Sequence, residues 1–203
     1  MSLPPVGLTQ LILADRSAAL AAAWREVFED EDMVEVYHGD FFTHAADAMV
    51  SPANSFGIMD GGLDLAIRDT LGFSAEARLQ EIIKERFYGE MPVGSAVVVR
   101  TDNPKWPWMV SAPTMRVPEP VSQTLNPYLA FRAALVAVLH HNQGSAQKIR
   151  SMVVPGLCTG IGRVSARRCA GQMRIAWRQL QGPARIGSYD LIHRVHDILK
   201  RVG

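Results

Sequence analysis

Asn54, Asp60 and Asp64 stand together in the stretch VSPANSFGIMDGGLD, residues 50–64, with Gly61 and Gly62 between the two acids. These residue types can do acid–base chemistry and bind an anion. A carboxylate in such a turn can deprotonate an attacking water or stabilise developing positive charge. Asp64 is the first candidate and Asp60 the second. Two carboxylates four residues apart also repel, which favours a proton on one of them, while the dipole of a helix that starts there opposes this. Gly61 and Gly62 precede Leu63-Asp64-Leu65-Ala66-Ile67 and would point backbone N–H groups from a helix N-terminus into the same crevice, a geometry suited to phosphate.

A second turn of this kind is VVPGLCTGIGRVSARR, with Gly156, Gly160 and Gly162 ahead of a helix capped near Ser165. Two glycine turns from neighbouring strands can clamp a diphosphate from both sides. Either turn alone reads equally well as a tight bend that needs positive φ. Other reactive residues are set aside. His193 and His196 sit three apart on the last helix with no third ligand nearby in sequence, so no metal site is expected. His140-His141 ends a helix, where imidazole complements the dipole. No His or Asn arrangement singles out Cys158 as a nucleophile. Trp106 and Trp108 flank Pro107, where they could stack on a ligand but as aromatics beside a strand read first as packing anchors. Arg163, Arg167 and Arg168 form a basic cluster that is either a solvated face or a contact for a charged substrate.

The elements that must hold these groups alternate along the chain. Apolar runs predict strands at 10–14, 33–38, 48–51, 95–100, 108–112 and 150–156. Three- and four-residue periodicity predicts helices over 17–28, 63–71, 75–87, 126–142, 166–180 and 189–202. Ser17, Ser74 and Ser165 are placed to cap three of them. This is the pattern of a three-layer α/β domain. Pro52-Ala53-Asn54 then emerges at the carboxyl edge of a buried strand, where open α/β sheets bind ligands. The proline-rich segment APTMRVPEPVSQTLNP is long enough that it should cover something rather than merely link elements.

Composition sets the bounds. The chain has 203 residues, 48% of them hydrophobic and 20% charged, which fits one packed domain over 1–203 without disulfides. The formal charge of +1 gives no global field, so nucleic acid is not indicated and any anion must be bound by local geometry. The two cysteines, Cys158 and Cys169, read as reduced thiols. No run is long enough to span a membrane, and a soluble, cytoplasmic protein is expected.

Taken in order, Gly39-Asp40-Phe41, Val50-Ser51-Pro52-Ala53-Asn54, Asp60-Gly61-Gly62-Leu63-Asp64 and Pro155-Gly156-Leu157-Cys158-Thr159-Gly160 resemble the motif series of the macro domain family, the ADP-ribose-binding module. Val110-Ser111-Ala112-Pro113 sits where that family has a strand ending in proline. The resemblance implies a three-layer α/β/α sandwich with a central mixed, mostly parallel six-stranded sheet. It implies that Asp40 accepts from the adenine amino group with Phe41 nearby. Gly61, Gly62 and Leu63 would donate around one side of the diphosphate and distal ribose, and Thr159, Gly160, Ile161 and Gly162 would line the other. Asn54 would bond a hydroxyl of the distal ribose. In the hydrolytic branch the catalytic aspartate lies ten residues after that asparagine, as Asp64 does here. The implied ligand or product is ADP-ribose, with no cofactor, and the implied partner is an ADP-ribosylated macromolecule, arginine- or carboxylate-linked, or O-acetyl-ADP-ribose.

The chain departs from the pattern at four places. Ser51 replaces the first Asn of the family's pair, and Asp60 replaces a loop glycine. Ile161 stands where the second loop usually carries an aromatic, and the opening segment reads as strand, helix, strand instead of a hairpin. Two other readings compete. One keeps the fold but makes the protein a non-enzymatic reader of ADP-ribose. The other is a Rossmann methyltransferase in which the acid of ILADRS holds a ribose, but no strand and Gly-x-Gly loop precede Leu11 to seat the cofactor.

Overall fold

The computed structural model describes residues 6–203. Six strands form one sheet: β1 (Gln10–Asp15), β2 (Val34–His38), β3 (Ala48–Ser51), β4 (Val97–Arg100), β5 (Trp108–Ser111) and β6 (Ser151–Val154). Their order is β2-β1-β6-β3-β5-β4, parallel throughout except for the antiparallel β4–β5 pair. Six helices surround it: α1 (Ala18–Val27), α2 (Gly62–Leu71), α3 (Phe73–Phe87), α4 (Asn126–Gly144), α5 (Ala166–Gln179) and α6 (Tyr189–Arg201).

The inner strands β1, β6, β3 and β5 are largely apolar on both faces because both faces are covered. Leu11, Leu13, Val50, Met152 and Val154 point to a core shared with Leu20 and Trp24 of α1, Phe131 of α4 and Trp177 of α5. Their neighbours Ile12, Ala14, Met49 and Val153 point the other way, onto Ile67 of α2 and Leu79 and Ile83 of α3. A polar clasp secures the α5 side. Arg174 bonds Asp30 at 2.6 Å and also pairs with Glu31, whose other oxygen accepts from Trp177 Nε1 at 2.8 Å.

The expected mixed α/β/α sandwich is the observed architecture, with several ends moved. Ser17 and Ser165 cap α1 and α5 as expected, accepting from Leu20 N and Arg168 N. Ser74 does not cap α3. The chain turns out of α2 through Gly72 at φ +90°, so α3 already starts at Phe73 and the Ser74 hydroxyl donates to Asp102 instead. The last strand stops at Val154 because Pro155 has no N–H to give. α2 begins at Gly62, one residue before the expected Leu63, and α4 runs on to Gly144.

This topology makes the crevice. β6 and β3 are neighbours, yet the chain leaves β6 for α5 on one face and β3 for α2 on the other. Connections that diverge to opposite faces open a gap beyond the carboxyl ends of the two strands, a topological switch point.

Candidate functional site

A cleft of about 630 Å³ lies at that switch point, within the usual range for a small-molecule site. Asp40, Phe41, Asn54, Asp60, Gly61, Gly62, Leu63, Asp64, Thr159, Gly160, Ile161 and Gly162, named above from sequence, all line it. The residues thus converge from four separate segments.

The wall after β3 contains both carboxylates. Gly61 is the N-cap of α2 and Gly62 follows at φ +58°, a left-handed conformation natural to glycine. Asp64 falls in the first turn, half-buried, and its Oδ1 accepts from the buried Ser51 hydroxyl at 2.6 Å. Desolvation pushes the Asp64 carboxyl up to about 6; Glu76 and Asp60 push the same way, and the Ser51 hydrogen bond opposes them. Asp60 is exposed at the mouth.

Asn54 turns inward on its own loop. Its Oδ1 accepts from Phe56 N at 3.0 Å and Ile58 N at 3.4 Å, and its Nδ2 donates to Ile58 O at 2.7 Å. The side chain therefore holds the loop closed, and one amide hydrogen is left for a ligand. From α3, Glu76 pins the same loop by accepting from Met59 N at 2.8 Å.

The wall after β6 is a tight turn. Val164 N returns to Cys158 O at 3.0 Å and Arg163 N to Gly160 O at 3.0 Å, with Cys158 at φ +64° and Arg163 at φ +53°. A Cβ on Gly162 would sit 2.5 Å from Cys158 O, so that glycine is required by backbone packing. Gly160 is different: it is exposed, and nothing lies within 4 Å of a Cβ placed there. Among the described residues, no acceptor within the protein takes the backbone N–H groups of Gly61, Gly62, Leu63, Thr159, Gly160, Ile161 or Gly162. Both rows of residues line one cleft, and their N–H groups are left for water or a ligand.

Asp15, at the end of β1, ties the second turn in place by accepting from Ser17 N at 2.8 Å and Gly156 N at 3.0 Å. Each carboxylate oxygen thus takes a backbone donor, and Asp15 joins the ends of β1 and β6. At the other end of the cleft Asp40 caps a 3-10 turn, Phe41–Thr43, by accepting from Phe42 N at 2.9 Å, and it pairs with Arg16 at 2.7 Å. The Arg16 guanidinium and that N–H hold its carboxyl below the usual range.

The proline-rich segment spans the two walls. Thr114 N bonds Ala53 O at 2.8 Å and Val121 N bonds Gly162 O at 2.8 Å, while Arg116 forks onto Glu90 at 2.7 and 2.9 Å. Thr114, Met115 and Pro118 line the cleft, so the segment does cover something.

Cys158 lines the cleft as well, but burial pushes its thiol far up, and the deeper Cys169 is pushed up to about 12. Neither is a thiolate at neutral pH. Trp106 is buried, donating to His44 O at 2.8 Å. His193 and His196 are exposed on α6, and among the described residues no group of three potential ligands could hold a metal. Sequence reasoning missed Arg16 and the Ser51–Asp64 link. Arg16 could have been found, since it follows β1 as Asn54 follows β3. The Ser51 contact depends on how α2 docks, which periodicity does not specify.

Comparison with known proteins places this geometry among relatives. The Macro domain family pattern matches residues 50–173. An uncharacterized protein of Aquifex aeolicus is 31% identical over 140 residues, which is 69% of this chain and 78% of that one. Among solved structures, a mutant macrodomain of Oceanobacillus iheyensis with ADPR superimposes with a TM-score of 0.58 at 19% identity, covering 79% of this chain and 86% of that chain. Thermosipho africanus DarTG in complex with ADP-ribose gives a TM-score of 0.55 at 19% identity, covering 76% of this chain and 43% of that chain. No helix among the described residues is long and apolar enough to cross a membrane.

Proposed function

As this chain belongs to the macro domain family, we propose that it binds ADP-ribose in the switch-point cleft and hydrolyses a bond at the distal ribose. The observation that carries the reading is the pair of glycine turns with free N–H groups on opposite walls, with Asp64 set into one wall beside them. Backbone donors at a helix start and in a tight turn suit a diphosphate, since Arg16, the one cation among the lining residues, is paired with Asp40. Adenine lies beside the Phe41 backbone, and its amino group reaches Asp40 by displacing the exposed Arg16. The distal ribose lies against Asn54, Asp60 and Asp64.

In this reading Asp64 is the catalytic carboxylate. A carboxyl pushed up to about 6 suits a group that accepts a proton from water near neutral pH. Ser51 fixes its orientation through Oδ1 and leaves Oδ2 for the water. Asp60 at the mouth, with no lining cation near it in sequence, favours a cationic or neutral leaving group, so arginine-linked ADP-ribose and O-acetyl-ADP-ribose head the substrates to test, followed by carboxylate-linked ADP-ribose.

The test has two stages. ADP-ribose is titrated calorimetrically against wild type and Gly160→Glu, at a lining glycine where an added Cβ meets nothing within 4 Å. Binding by wild type and loss of it in the variant supports the site; no binding by wild type refutes it. Turnover of the ADP-ribosylated substrates by wild type and Asp64→Ala comes next. Tight binding with no turnover of any of them decides for the non-enzymatic reader, which the inward engagement of Asn54 favours.

A further inference from the structure

The C-terminal helix α6 lies beyond the family-matched residues and is held mainly at one end. Its last turn is anchored on α5: Gln172 donates to Leu199 O at 3.2 Å, Arg168 donates to Lys200 O at 3.0 Å, and Val202 packs over Gly171. Of the apolar residues along the helix only Leu199 is buried. Leu191, Ile192 and Ile198 remain 48%, 49% and 55% exposed, and Ile186 just before the helix is 98% exposed. At helical spacing Leu191, Val195 and Ile198 fall on one stripe of the helix. A stripe this apolar on a helix normally faces a partner.

The charges beside the stripe say which partner. Asp190, Arg194, Asp197 and Arg201 follow one another along one flank, alternating in sign, and all four are exposed. Spacing of four would allow Asp190–Arg194 and Asp197–Arg201 pairs within the helix, yet among the described residues none of the four has an ion-pair partner. Laid antiparallel against an identical helix, a single register sets Asp190 opposite the partner's Arg201 and Arg194 opposite the partner's Asp197. The two-fold axis repeats both pairs. The flank is thus complementary to itself, which is the requirement of an isologous interface.

We propose that the exposed stripe of α6 pairs with the same stripe of a second copy of this chain, antiparallel about a two-fold axis. The helix is only about 20 Å long, so the contact is far smaller than the roughly 800 Å² per partner of a standard stable interface. A weak dimer follows, populated in the micromolar to submillimolar range. The proposal is independent of the cleft, which lies at the ends of β1, β3 and β6.

Sedimentation of the full chain across that concentration range, in low and high salt, tests it. Wild type should shift from monomer to dimer with rising concentration, and salt should weaken the shift. Ile198→Glu should abolish dimerisation. Arg194→Glu should raise the dimer Kd about tenfold, because it turns two ion pairs into two repulsions. Arg194→Glu combined with Asp197→Arg should recover most of that loss, since each copy then carries the swapped pair. Circular dichroism keeps the fold in view, and these positions are exposed. Wild type that stays monomeric throughout overturns the proposal. So does a dimer indifferent to Ile198→Glu, or a swap that recovers nothing.

Discussion

Replacing Asp64 by asparagine tests the electrostatics of the cleft directly. The folded protein holds this carboxyl at about 6 against an ordinary 3.8, chiefly because desolvation disfavours the anion. A group that binds its proton more tightly in the native state supports stability fully at low pH. That support is lost as pH rises from about 4 through about 6. The gap of about 2 pH units, at about 1.4 kcal/mol each, amounts to about 3 kcal/mol. The side chain still meets the cleft, so screening reduces the expectation to about 2 kcal/mol. The amide introduced by Asp64→Asn is uncharged and can still accept from Ser51 through its Oδ1. Urea unfolding of wild type and Asp64→Asn should therefore give stabilities within about 0.5 kcal/mol of each other near pH 4, and a variant more stable by about 2 kcal/mol near pH 8. Equal stability at both pH values, or a variant weaker at pH 8, would mean that the native site does not disfavour the anion, and the argument for Asp64 as a poised base would fail.

Three further outcomes are expected. Arg174→Met should cost about 3 kcal/mol in urea unfolding, because Glu31, only 17% exposed, is left without its cation. Gly162→Ala should cost at least about 2 kcal/mol and abolish ADP-ribose binding, since its Cβ meets Cys158 O at 2.5 Å, whereas Gly160→Ala should change stability by less than about 0.5 kcal/mol. Arg16→Ala breaks a pair whose side chains are 79% and 38% exposed, so stability should shift by under about 0.5 kcal/mol. With Asp40 freed for adenine, calorimetry should show ADP-ribose affinity unchanged or a few-fold tighter. A tenfold loss would mean that Arg16 itself touches the ligand.

Much of this protein was legible in the residue order. Alternating apolar runs and helical periods gave the six strands and six helices, because a strand buried on both faces and a helix on one face leave different periods in the chain. The motif order around Asn54, Asp64 and Gly160 gave the family, and the cleft is lined by the residues those motifs name. What the sequence could not determine is direction and pairing. Asn54 could face a ribose or its own loop, and only the path of residues 55–59 turns its amide inward onto Phe56 and Ile58. Ser51 and Asp64 are far enough apart in sequence that their bond depends on how α2 docks on the sheet, and that docking also withdraws the carboxylate from water. Asp40 takes a guanidinium because β1 and β2 lie side by side in the sheet. Periodicity reports which side of an element is buried, since burial is repeated at every turn. The partner that a single polar side chain meets is fixed once, by the packing of whole elements, and only the tertiary structure decides it.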